Sequence, residues 1–280
     1  MSGVRVVTRG LVHIYRAQGH DVAALSGIDL VVAPGERLAL LGPSGAGKST
    51  LLTLFGGLLR PSAGRILVGE HEMGQLSEAE LDAVRGTEIG MVLQGAARNL
   101  LPYLSARGNV DFAQAAAVRR GREVPAADEV LALVGFPEAS VDTPLEHLTP
   151  GHLQLLAVAV AVSCRPGLLL GDEPTSQLDH AARDVVLDAL AQVNRQWGTT
   201  VVVVTHDPDV AARMPRTITI RDGRVGAEGR AGEEFAVVSA DGSVPLPPHA
   251  LAALPPGSLL RVHEEDGRWT LVVEEGEPDG

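Results

Sequence analysis

Gly42-Pro43-Ser44-Gly45-Ala46-Gly47-Lys48-Ser49-Thr50 is the stretch that decides the fold. It fits G-x-x-x-x-G-K-[ST], a glycine-rich turn whose backbone N–H groups cradle phosphate oxygens. Of the 23 lysines and arginines in the chain, Lys48 is the only lysine. An ammonium is a compact point charge on a thin stem and can thread such a turn. A planar guanidinium is too wide for it, so lysine is kept here for a local reason.

The flanks agree with the motif. Leu38-Ala39-Leu40-Leu41 is a short apolar run, as a buried parallel strand requires. Leu51-Leu52-Thr53-Leu54-Phe55 opens a helical stretch. Strand, loop and helix together aim successive N–H groups and a helix N-terminus at one anion. In this reading Gly42, Pro43, Ser44, Gly45, Ala46 and Gly47 wrap the phosphates of ATP. Lys48 bridges β- and γ-phosphate oxygens, Ser49 places its hydroxyl on Mg²⁺, and Thr50 holds the α-phosphate side.

A second half of a nucleotide site lies downstream. Leu168-Leu169-Leu170-Gly171-Asp172-Glu173-Pro174 is an apolar run ending in two carboxylates. The C-terminal edge of a parallel strand is where an α/β sheet presents ligand-binding groups. Asp172 is expected to hold Mg²⁺ through water, and Glu173 to polarise the water attacking the γ-phosphate. Alone, two adjacent acids read first as a solvated turn; beside a phosphate loop they read as its complement. Thr200-Val201-Val202-Val203-Val204-Thr205-His206-Asp207 is a further buried strand, and His206 at its end is placed to contact the γ-phosphate and orient that water.

With these segments in this order, residues 1 to about 230 resemble the ATP-binding subunit of ABC transporters. The resemblance implies an α/β fold, a P-loop NTPase of the ABC type: a mixed β core with a RecA-like sheet plus a helical subdomain over about 95–163. A small β-rich C-terminal domain follows. It also implies further site residues. Tyr15 matches the aromatic that stacks on adenine. Gln94, in Gly90-Met91-Val92-Leu93-Gln94, matches the glutamine that touches Mg²⁺, takes part in catalysis and couples to the membrane subunit. Ser176-Gln177-Leu178-Asp179 matches the loop crossing the dimer interface, and Asp222-Gly223-Arg224 the hairpin closing the core. Gly19 to Leu25 and Asn99 to Ser105 look like the lipoprotein-release and macrolide-export branch, which includes the cell-division ATPase. Members of that branch work as dimers with permeases of four transmembrane helices.

Two departures from the family stand out. Its Leu-Ser-Gly-Gly-Gln signature, which completes the ATP site of the opposite subunit, is here Leu148-Thr149-Pro150-Gly151-His152. Thr149 keeps the hydroxyl and Gly151 keeps an N–H for the γ-phosphate, but Pro150 removes a donor and fixes φ. Proline is tolerated at the first turn of a helix. The resemblance therefore implies a Mg²⁺-dependent ATPase of reduced but real turnover, energising a separate membrane permease as a homodimer or heterodimer. The alternative is a low-turnover signalling or mechanotransmission module with a degenerate signature. The second departure is Gly108, where the family usually has glutamate.

Composition bounds the rest. The chain has 280 residues, 45% hydrophobic but only 3% aromatic, so its core is built from Val, Leu and Ala. A formal charge of −12 argues against nucleic-acid and anionic-membrane binding. Cys164 is the single cysteine, which excludes a disulfide framework within the chain and suits a buried small hydrophobe. There is no run of 18 apolar residues and no signal-peptide pattern at Met1 to Arg5. The expected location is therefore cytoplasmic, peripheral on the inner face of the cell membrane, with the membrane reached only through the partner.

Charge divides the chain. Residues 233–280 carry ten acidic and two basic groups, a net of −8, and residues 1–232 carry 25 and 21, a net of −4. Gly226-Ala227-Glu228-Gly229-Arg230-Ala231-Gly232 reads as a linker between them. The predicted domains are 1–230 and 233–280. In the tail, strand, Asp-Gly turn, proline-led helix and a two-stranded hairpin through Asp266-Gly267 resemble a swapped-hairpin domain. Such domains dimerise because one copy cannot bury its own sheet; a small β appendage packed on its own core is the alternative.

Overall fold

The computed structural model describes residues 3–17, 20–230, 233–238, 242–246, 248–254 and 257–273. A four-stranded antiparallel sheet forms first, from β1 (Val6–Ala17), β2 (His20–Val32), β4 (Ala63–Val68) and β5 (His71–Glu72), in the order β2-β1-β4-β5. A seven-stranded sheet makes the centre. It contains β3 (Arg37–Leu41), β6 (Ile89–Val92), β7 (Leu168–Asp172), β8 (Thr200–Val204), β9 (Arg216–Arg221), β10 (Arg224–Arg230) and β11 (Glu233–Ala236), in the order β11-β10-β9-β3-β8-β7-β6. The five strands from β9 to β6 are parallel; β10 and β11 add antiparallel at one end.

The parallel strands are apolar on both faces because both faces are covered. Leu38, Leu40, Leu168, Leu170, Val202 and Val204 point into a core shared with the four-stranded sheet and with α1 (Lys48–Phe55). The intervening Ala39, Leu169, Val201 and Val203 point the other way. That second core is made with α3 (Ala106–Arg119), α4 (Ala127–Leu133), α5 (Pro150–Val162) and α6 (His180–Trp197). A short α2 (Glu78–Arg85) begins with a Ser77–Glu80 capping box. Between β6 and β7 the described elements are helical, as the reading of 95–163 expects. Cys164 is buried just beyond α5, and burial raises its thiol pKa despite the Ser163 hydroxyl and Arg122.

The linker reading of 226–232 is corrected by the structure. Residues 224–230 are a strand, and Arg230 pairs antiparallel with Glu233 at the start of β11. Gly229 is needed for packing, not freedom: a Cβ there would lie 2.3 Å from the Thr217 hydroxyl on β9. The boundary placed near 231 lies outside the described residues; on either side of it β10 and β11 pair, and β11 extends the central sheet.

Beyond β11, α8 (Pro248–Ala253) and the hairpin β12 (Leu260–Glu265) and β13 (Arg268–Val273) form where the turn residues place them. The register puts Leu260, Val262, Glu264, Trp269, Leu271 and Val273 on one face of that hairpin, apolar but for Glu264, and Arg261, His263, Glu265, Arg268, Thr270 and Val272 on the other. The apolar face is uncovered: Trp269 is 70% exposed and Val262 55%. Among the described residues nothing covers that face.

Candidate functional site

The register of the parallel sheet brings three motifs to one edge. Leu40 is level with Val204, and Val204 with Asp172, so β3, β8 and β7 end together. The loop 42–47 follows β3, Glu173 follows β7 and His206 follows β8. Thr205 N–H donates to the Leu40 carbonyl (3.1 Å), and Glu173 N–H to the Val204 carbonyl (3.0 Å). These bonds lock the three strand ends to each other.

The loop is glycine-rich for reasons the structure makes explicit. Gly42 has φ +137°, and a Cβ there would sit 2.0 Å from the Ile220 carbonyl oxygen. Gly47, at φ +100°, would place a Cβ 2.4 Å from the Ala24 carbonyl oxygen. The turn Asp222-Gly223 closes the back of the loop, with Gly223 N–H donating to Ala46 (3.2 Å). Lys48 begins α1, is only 8% exposed, and donates from Nζ to the carbonyls of Gly42 and Pro43, both at 2.8 Å. Its charge is thereby held over the mouth of the loop.

Ser49 and Asp172, 123 residues apart, meet: Oγ donates to Oδ1 at 3.0 Å. Glu173 has φ +50°, a left-handed geometry that costs a non-glycine residue about 1–3 kcal/mol. That turn aims its carboxylate at the His206 imidazole, with Oε1 2.7 Å from Nδ1. A carboxylate only accepts, so Nδ1 carries the proton and Nε2 is left as the free face of the ring. Tyr15, on β1, reaches the same place: its hydroxyl and the Thr50 hydroxyl are 3.2 Å apart. Its ring stays half exposed and meets His13 edge-on at 4.8 Å.

Gln94 is exposed just past β6. Its backbone is fixed by Asn99, a residue given no role in the sequence reading. Asn99 Oδ1 accepts from Leu93 N–H (2.9 Å), and Nδ2 donates to the carbonyls of Leu93 (3.0 Å) and Gly95 (3.1 Å).

Thr149, Gly151 and Asp179 form a separate group. Thr149 caps α5, its hydroxyl accepting from His152 N–H at 3.2 Å, and Pro150 occupies the first helical position. Asp179 caps α6 through Ala182 N–H at 2.8 Å. Gly151 is where α5 meets α6, since a Cβ would come 2.9 Å from that of Ala182. The three line a cleft of about 620 Å³ that includes no residue of 42–50. One copy of the chain therefore keeps this group apart from the one at the sheet edge.

Next to His206, Asp207 caps the short helix α7 (Pro208–Ala212). Burial raises the pKa of the Asp207 carboxyl, but the N–H groups of Asp209 and Val210 and the Arg183 guanidinium outweigh it and hold the value below the ordinary range.

The ABC transporter family model matches residues 25–176, which span the loop, Gln94, the 148–152 segment and Glu173. The chain belongs to the ABC transporter family. Within it, the chain is 40% identical over 223 residues to the lipoprotein-releasing system ATP-binding protein LolD 1 of Caulobacter vibrioides, covering 79% of this chain and 94% of that one. It is 38% identical over 253 residues to the macrolide export ATP-binding/permease protein MacB of Rhodopseudomonas palustris, covering 89% of this chain and 38% of the relative. The fold matches a dimeric, post-hydrolysis ATP-binding cassette bound to ADP and Pi, with a TM-score of 0.72 at 31% identity over 80% of this chain and 98% of the other. The chain is thus an ATP-binding, ATP-hydrolysing subunit of an ABC transporter, with relatives in the lipoprotein-release and macrolide-export branch. The low-turnover signalling alternative is not favoured. No helix among the described residues is long and apolar enough to cross a membrane.

Proposed function

We propose that two copies of this subunit, or one copy and a related one, close head to tail on two ATP molecules and drive a separate membrane permease. The observation that carries this reading is the division of the site. Lys48, Ser49, Asp172, Glu173 and His206 gather at one sheet edge, while Thr149, Gly151 and Asp179 line another cleft. Each group is half of an ATP site, and a second chain supplies the other half. Tyr15 stacks on adenine, residues 42–50 hold the phosphates, and Glu173 activates the attacking water with His206 beside it.

Mg²⁺ fits the oxygens present. A hard cation of this size takes one or two carboxylates, a hydroxyl and phosphate oxygens. Ser49 and Asp172 already face one another, and among the described residues no cluster of three or more His, Cys, Asp or Glu could hold a metal without the nucleotide. Gln94 would contribute from the neighbouring strand end. The ion supplies charge neutralisation on the β- and γ-phosphates. In the segment that follows Gln94 in the chain, the exposed Tyr103 (77%) and Phe112 (63%) provide apolar surface for the permease. Gly108, in the first turn of α3, leaves that surface without the family's glutamate. The subunit accordingly works on the cytoplasmic face, bound to the membrane through its partner.

The test of this function is steady-state phosphate release by the full chain, alone and with the membrane protein that copurifies with it. Pro150 is the second variable. It deletes one N–H from a helix N-terminus that would face the partner's γ-phosphate, and a lost donor at such a position typically costs about 10²–10³ in rate. Pro150→Gly restores the donor but loosens the first turn, so turnover is expected to rise by about tenfold, well short of that ceiling. An unchanged rate would show that Thr149 and Gly151 suffice.

The tail is proposed as a dimerising element, because one copy leaves the apolar face of β12 and β13 uncovered and a lone two-stranded hairpin is marginal in water. Since β11 belongs to the central sheet, the informative truncation falls after Val238. Loss of self-association by light scattering, with ATP binding retained, is the expected result; unchanged mass would sink the role.

A further inference from the structure

The two half-sites of one chain are joined by a side chain that neither half contains. Arg183 lies in the first turn of α6, four residues after Asp179. Its N–H donates to the Asp179 carbonyl at 2.9 Å, so it moves with the loop 176–179. Its guanidinium is 13% exposed and crosses to the segment after β8. There Nη1 donates to Asp207 Oδ2 at 3.1 Å and to Asp209 Oδ2 at 3.0 Å.

Those two carboxylates shape the turn that follows His206. Asp207 Oδ1 accepts from Asp209 N–H (2.8 Å), and Asp207 N–H donates to the Thr205 hydroxyl (3.1 Å). The His206 side chain is 75% exposed, and its one contact described here is with Glu173. On one side its backbone is pinned through Thr205 to the end of β3; on the other it depends on the 207–209 turn. Without Arg183, two carboxylates two residues apart would face each other with their shared cation gone. Asp184, 3.6 Å from Arg183 Nε, would add to that excess of negative charge. Arg213 pairs with Asp184 and Asp188 and is not bonded to the 207–209 carboxylates.

We infer that Arg183 is a positioning residue for His206, holding the 207–209 turn and tying it to the loop 176–179 of the other half-site. The inference rests on the reading of Glu173 and His206 as the hydrolytic pair. Its consequence is directional: when a second chain orders the loop 176–179, α6 and Arg183 carry that order to the histidine of the same chain. Nucleotide binding at residues 42–50 does not pass through this link. A merely structural ion pair would stabilise α6 and α7 without touching the rate of hydrolysis.

The test is ATP hydrolysis by the full-length chain, with melting curves recorded alongside. Arg183→Met keeps the apolar stem and removes both bonds. It is expected to lower kcat by about tenfold while leaving KM for ATP within about twofold, because misplacing a catalytic group by a fraction of an ångström affects the transition state more than binding. Arg183→Lys keeps the charge and should recover much of the loss. In a His206→Ala background, adding Arg183→Met should change kcat by less than about twofold, the non-additivity expected of residues acting in series. Asp209→Asn, at a more exposed position, provides the same comparison should Arg183→Met fold poorly. Equal losses with and without His206, or an unchanged kcat in Arg183→Met, would overturn the inference. If His206→Ala itself leaves kcat untouched, it is the reading of the hydrolytic pair that fails.

Discussion

Glu173→Gln is expected to lower ATP turnover by about 10²–10⁴-fold, the range for removing a positioned general base. Glutamine keeps the shape of the side chain and can still accept a hydrogen bond from His206 through its carbonyl oxygen. The backbone turn at φ +50° and the bond from Glu173 N–H to Val204 do not involve the side chain, so the geometry of the strand end should survive. What is lost is the basicity that would take a proton from the attacking water. ATP affinity should therefore hold, because Lys48, Ser49 and the loop N–H groups are untouched. With hydrolysis blocked and binding intact, the closed pair of subunits should accumulate: carried in a chain truncated after Val238, so that the tail does not hold copies together, the variant should elute at twice the mass of the subunit in Mg²⁺ and ATP, and at the single mass in ADP. Near-parental phosphate release would place the base elsewhere.

Lys48→Arg is expected to be as damaging as Lys48→Ala, even though arginine stands at every other basic position. Lys48 is only 8% exposed, and its ammonium fits between two carbonyls at 2.8 Å in a loop whose Gly42 and Gly47 leave no room for a Cβ against neighbouring backbone. A guanidinium has the charge but not the shape. Each charge-assisted bond to phosphate is worth about 1.5–3 kcal/mol, so losing two should weaken ATP binding by about 10²-fold or more. Calorimetric titration of the three proteins with ATP measures this. If the arginine protein binds within about tenfold of the parent, charge alone matters at this position and the shape argument falls.

The strands and the loop of the nucleotide site were legible because their signals are local. Leu38 to Leu41, Leu168 to Leu170 and Val201 to Val204 are continuous apolar runs, each followed by the residue that faces the site. The turn at Asp266-Gly267 likewise announced its hairpin. What the sequence could not show was pairing at a distance. Gly226 and Gly229 looked like the flexible composition of a linker, yet Gly229 is small because Thr217 lies against it. The sheet edge thereby gained a strand that the acidic tail was expected to keep for itself. Arg183 was illegible for a similar reason: its partners lie 24 and 26 residues away, and a charged residue on a helix reads first as a solvated one. Thr149 and Asp179 were read only for their reach to a partner's nucleotide. The structure shows that each also caps the helix behind it, work that a single chain already requires.

The strand pair on either side of the expected boundary also bears on solubility. A strand at the end of a sheet offers unpaired N–H and C=O groups to any other chain that can pair with them. In a protein ending at Arg230, β10 would be that strand. With residues 233–236 present, β10 is covered, and the outermost position passes to a short strand that opens with Glu233 and Glu234. Short length and like charge are what discourage one molecule from stacking on the next. The first four residues of the acidic tail thus act as a guard against aggregation of the sheet, whatever the rest of the tail binds.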